Sequence, residues 1–176
     1  AATGVMYLRL WVLVILFAPS LGQRLSLLFW GLSLAALVVG VVLTRLGRSD
    51  RGDGDERTQP SNPLEISSAL TFAGIFLVVL VVTRMVAERF GGTGVLIMAA
   101  IMGAADVDPF ILGITQNVGT TLPIETAALA VVIAAATNNL VKGIYAVVFA
   151  SKSTGRTALA VLSALGVASV ALFWAL

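Results

Sequence analysis

The sequence predicts an all-α fold: a polytopic membrane protein of about six transmembrane helices, with an interrupted or re-entrant fourth segment. Three observations lead there. Apolar residues make up 59% of the chain and charged residues 11%, against about 25% charged in ordinary soluble domains. Apolar runs near the ~20 residues that a helix needs to cross a bilayer follow one another along the chain. One of them, GVLIMAAIMGAADVDPFILGI (94–114), holds Asp106, Asp108 and Pro109 in its middle. The length fits one helical membrane domain, 1–176.

Each span has its own punctuation. The first is expected from Gly4 to Leu21, with Arg9 inside it and Pro19 and Gly22 closing it. The second runs from Leu25 to Leu46. Residues 47–63, GRSDRGDGDERTQPSNP, mix charges with Gly, Pro and Ser and read as an aqueous loop. Asn62-Pro63-Leu64-Glu65 then opens a helix: Asn62 caps, Pro63 fits the first turn, and Glu65 completes a capping box. The third span covers Leu64 to Val82, its helix continuing to Phe90, with Arg84 and Glu88 spaced to pair at the wet end. Gly91 to Gly94 form a break.

The fourth segment, Val95 to Val118, is the unusual one. Proline disfavours helical geometry in the residue before it. One half-helix is expected to end near Ala105 and another to start at Pro109, with Asp108 as its cap. Thr121 is placed to cap the fifth span, Pro123 to Ala150, and Glu125 sits favourably in its first turn. The sixth span runs from Arg156 or Thr157 to the end.

The chain has no cysteine and no histidine. Disulfides, thiolate metal sites, imidazole relays and Cys or His nucleophiles are therefore excluded, and any metal must be held by oxygen, which suits hard cations such as Mg²⁺. The net charge of +2 comes from scattered residues beside apolar spans. It reads as topology-setting arginine, not as a nucleic-acid surface. A re-entrant fourth segment would put the long loop and the Lys152/Arg156 loop on one, cytoplasmic, face. No enzyme is expected, because no nucleophile–base pair is readable. The Gly91–Gly94 run lacks the phosphate-loop pattern, and the two acids lie side by side instead of on separate helices as an intramembrane protease requires.

The polar residues inside apolar spans are the candidate site. A charged side chain at bilayer depth costs about 2.5–3.5 kcal/mol, so it must be paired, hydrated, neutralised or bound to a cation. On a regular helix Asp106 and Asp108 would point about 200° apart; a break at Val107 removes that conflict and frees backbone carbonyls. On the fifth span Asn138 and Lys142 share a face and Asn139 borders it. Two readings stay open. Asp106, Asp108, Asn138 and Asn139 form a cation site with Lys142 as ion-pair partner or gate. Alternatively Asp108 caps a helix, Asp106 pairs with Lys142, and the asparagines are interhelical glue.

The stretches NPLE (62–65), GAADVD (103–108) and TAALAVVIAAATNNLVKG (126–143) together resemble the C-terminal transmembrane domain of bacterial MgtC/SapB-type membrane proteins, over about residues 5–175. Ala105-Asp106-Val107-Asp108 and Thr137 to Lys142 are the most specific parts. The resemblance implies an all-helical domain of the bacterial inner (plasma) membrane that follows an upstream membrane domain; the abrupt apolar start at Ala1 fits the same expectation. The expected function is transport or conduction of a small cation, divalent or proton-coupled, with Mg²⁺ or another hard cation as substrate. The alternative is a non-transporting module that regulates a partner or forms a homo-oligomer in the lipid bilayer.

Overall fold

In the computed structural model the described residues, 2–46 and 66–175, are almost wholly helical. The expected aqueous loop and the Asn62 cap with Pro63 and Glu65 lie outside them. α1 (Ala2–Phe17) and α2 (Pro19–Leu46) make an antiparallel hairpin. Its register is set by three contacts. Ser33 Oγ donates to the Gly4 carbonyl (2.9 Å), the Tyr7 and Phe29 rings sit 5.8 Å apart, and Trp11 Nε1 donates to Ser26 Oγ (3.0 Å). The turn falls at Ala18, so the first span ends at Phe17 and not at Leu21. Pro19 opens α2 instead of closing α1, because a first helical turn leaves its amides unpaired and loses nothing to proline.

α3 (Ile66–Ala104) is broken at Gly91 into two arms, 66–90 and 92–104. Gly91 has φ 58° and ψ −150°, a conformation essentially restricted to glycine. The reversal there is sharp. A Cβ on Gly94 would lie 3.0 Å from the side chain of Val86, eight residues upstream, whereas a straight helix would separate them by about 12 Å. The expected four-residue break is thus a single residue, and Thr93 and Gly94 are helical. Arg84 Nε and Glu88 Oε1 pair at 2.9 Å, as their spacing predicts.

α5 (Ile124–Phe149) and α6 (Lys152–Ala175) form a second antiparallel pair. Gly155 packs on the backbone of Ala146 and Val147, and Gly166 on Ala136, which lets the two helix axes approach closely. α6 starts at Lys152, four residues before Arg156. The second arm of α3 runs beside α5 in the same direction, with Gly92 against Thr126 and Gly103 against Ala134. α4 (Val107–Asn117) then returns, its Gly113 meeting Thr83 on the first arm of α3. Residues 92–117 are therefore a helical hairpin with both ends near the start of α5 and its tip at Ala105–Asp106. Below, the near end is where α5 begins and the far end is where it finishes.

The core is apolar and continuous. Tyr7, Leu10 and Val14 of α1, Phe29 of α2, Phe110 and Ile111 of α4, and Val131 and Val132 of α5 are fully buried. Many other large apolar side chains, Leu16, Leu27, Leu70, Val78, Ile101 and Phe149 among them, face outward. A soluble protein rarely exposes so much apolar surface. Among the described residues, Pro19–Leu43, Ile124–Phe149 and Lys152–Ala175 are each long and apolar enough to cross a membrane.

Candidate functional site

The hairpin tip places polar groups halfway along the bundle. α5 has 26 residues, about 39 Å of helix, and Asn138 lies about 21 Å from its start. Asn138 Nδ2 donates to the Gly103 carbonyl at 3.1 Å, which fixes the tip at that level.

The two acids exchange the roles expected from Pro109. Asp106, not Asp108, is the N-cap of α4: its backbone is extended (φ −132°, ψ 116°) and its Oδ1 accepts from the Asp108 amide at 3.2 Å. α4 starts at Val107, so Pro109 falls within the first turn, where its missing N–H leaves no bond unmade. Asp108 is the first-turn acid and takes a different partner. Arg9 Nη2 lies 2.7 Å from its Oδ1 and 2.6 Å from its Oδ2. The Arg9 side chain is 57% exposed and that of Asp108 25%. Both acids also oppose the positive N-terminal end of α4.

Lys142 does not pair with Asp106. Its Nζ donates to the Met6 sulfur at 3.0 Å, and Arg9 and Asp108 are its electrostatic neighbours. Asp106 is exposed. Of the four residues expected to hold a metal, the structure brings Asn138 to the tip carbonyls and turns Asp108 to Arg9. Among the described residues no three acidic side chains cluster. Thr121 is not the α5 cap. That position is Pro123, which has no side-chain acceptor to offer; Thr121 lies two residues earlier, in the preceding turn, its amide donating to the Asn117 carbonyl at 3.2 Å.

Asn139 is fully buried, and its Nδ2 donates to the Tyr7 hydroxyl at 2.6 Å. Ser169, also fully buried and a polar neighbour of the same Tyr7 hydroxyl, donates to the Gly166 carbonyl at 2.7 Å. Buried polar groups of α5, α1 and α6 thus meet here. Both amide oxygens, Asn138 Oδ1 and Asn139 Oδ1, are buried without a hydrogen-bond donor. Arg9, Tyr7 and Ser169 belong to this site and were not expected there. Arg9 had a signal, a charge inside an apolar run; a tyrosine and a serine in apolar helices carry none until α1 and α6 are placed beside α5.

Apolar outward faces, membrane-length helices and a polar interior at half height define a helical membrane protein. Residues 1–150 match the family described as a domain of unknown function, DUF4010, and the chain belongs to that family. A protein of Aquifex aeolicus (strain VF5), described as uncharacterized, is 25% identical over 149 residues, covering 84% of this chain. The chain spans 64% of that relative's length. No solved structure matches.

Proposed function

We propose that this domain is a multi-pass module of the bacterial inner membrane that transports or conducts a small cation past the tip of a re-entrant hairpin, residues 92–117. The observation that carries this reading is the depth of the tip. Broken helices that stop near the bilayer midplane expose last-turn carbonyls where substrates bind in many transporters. Here such a break stands beside Asn138, Asn139, the Arg9–Asp108 pair and Lys142, polar groups that are expensive at that depth without a purpose. Lys142 and Arg9 serve as internal cations that balance the tip carboxylates. An upstream domain of the MgtC/SapB type would complete the protein.

Flux into proteoliposomes tests the reading. The wild-type domain should pass a small cation, and Asn139→Ala should abolish most of the flux; wild-type vesicles no leakier than empty ones would refute it. A second reading, a module that docks a partner helix or a second copy, draws on a groove of 460 Å³ on the outer face of α5 and α6. Thr137, Ser163 and Gly166 line it with small side chains, the composition at which membrane helices pack closely. Cross-linking through a cysteine at Val167 would capture that partner.

A further inference from the structure

We infer that the cation bound at the hairpin tip is a monovalent alkali-metal ion held by neutral oxygens: Oδ1 of Asn138, Oδ1 of Asn139 and the last-turn carbonyls of the second arm of α3. This rests on the transport reading above and names its substrate class. Two buried amide oxygens on adjacent residues lack donors, and Asn139 is fully enclosed. Buried acceptors are ordinarily paired, so each of the two asks for a partner.

Their orientation follows from their neighbours. The Gly103 carbonyl is an acceptor only, so it must face the Asn138 NH₂ group and leave the oxygen free. Ser169 spends its own proton on the Gly166 carbonyl. Tyr7 accepts from the NH₂ group of Asn139, leaving that oxygen free as well. The α3 second arm ends at Ala104, so its last turn adds carbonyls without intrahelical partners, Gly103 being taken by Asn138 and Met102 by the Ala105 amide, and the negative end of a helix dipole.

The carboxylates that a divalent ion would need are committed elsewhere. Asp106 caps α4 and Asp108 binds Arg9. Mg²⁺ sheds its water reluctantly and binds through carboxylates, whereas rings of neutral carbonyl oxygens replace the hydration shell of monovalent ions. A dipole end and amide oxygens balance one positive charge better than two, and Lys142 and Arg9 nearby oppose the second.

Thermal unfolding of the purified chain in detergent, titrated with NaCl, KCl or MgCl₂ against choline chloride at equal ionic strength, tests this. Na⁺ or K⁺ should raise the midpoint saturably, as a ligand of the native state does, and Mg²⁺ should match choline. Asn138→Ala and Asn139→Ala should weaken the apparent affinity by about tenfold, the loss of one ion–dipole contact; Asp106→Asn, which still caps, should leave it unchanged. If an alanine variant does not fold, Asn138→Asp replaces it, and its expected result is a new response to divalent ions. A wild-type response to Mg²⁺ that needs Asp106 or Asp108 overturns the monovalent assignment and leaves cation transport standing. Flux with no alkali-ion shift, or with shifts indifferent to both asparagines, does the same. No shift and no flux removes both.

Discussion

Removing the carboxylate of Asp108 strands Arg9. The pair is half in the open within this chain, and at bilayer depth an unpaired guanidinium costs about 2.5–3.5 kcal/mol on insertion scales. Asp108→Asn should therefore destabilise the protein by about 1–3 kcal/mol, and Arg9→Gln in the same background should recover most of it, because breaking one partner costs more than removing both. Thermal unfolding of the two single variants and the double variant in nanodiscs measures this; an additive double variant shows that the pair contributes nothing. The sequence placed both acids in the right stretch and singled out Asn138 and Asn139. It assigned cap and ion pair to the wrong acids because the register of a helix start differs by two residues between Val107 and Pro109, and proline is at home in either first turn. Lys142 was matched to Asp106 by charge alone, and only packing shows that Met6 and Arg9 stand nearer.

The reversal at Gly91 is the joint on which the hairpin hangs. Any side chain there is strained by its φ of 58° although nothing crowds the position, so Gly91→Ala isolates backbone conformation. It should lower stability by about 1–3 kcal/mol, whereas Gly31→Ala, in a helical position with equal open space, should be neutral or stabilising. Equal effects of the two in chemical unfolding would show that the reversal is not under conformational control. Asp106→Ala should cost about 0.5–2 kcal/mol as a lost cap. At this scale the sequence was informative: apolar runs predicted an all-helical chain, and the break in the fourth segment lies within two residues of its expected place. The boundary at Phe17 and the joining of residues 66–104 through Gly91 were not legible, since proline both ends and begins helices and a glycine run does not say which of its members turns.

Across the whole molecule, the Ala18 turn, Gly91, the 118–123 connection and the end of α6 gather at the near end, while Ala2, Leu46, Ile66 and the Ala150–Ser151 turn gather at the far end. Arg24, Arg84 and Arg89 belong to the first group. Arg45, Lys152 and Arg156 belong to the second, with Arg48, Arg51 and Arg57 in the sequence between Leu46 and Ile66. Excess Lys and Arg predicts the far end in the cytoplasm. Because the chain has no cysteine, single cysteines at Thr120 and Ser151 report cleanly: an impermeant maleimide applied from outside intact cells should label Thr120→Cys and spare Ser151→Cys. Labelling of both from one side would show that α5, which lies between them, does not cross the membrane. The arms of that hairpin have a bearing on how the protein is made. On the re-entrant reading proposed above, residues 92–104 and 107–117 are each well short of the ~20 residues that span a bilayer, and neither leaves a translocon sideways as a self-sufficient segment. They need the walls that α1 and α5 supply, yet α5 is synthesised after them. On that reading the ribosome delivers the hairpin before the helix against which its Gly103 packs, and its docking waits on α5.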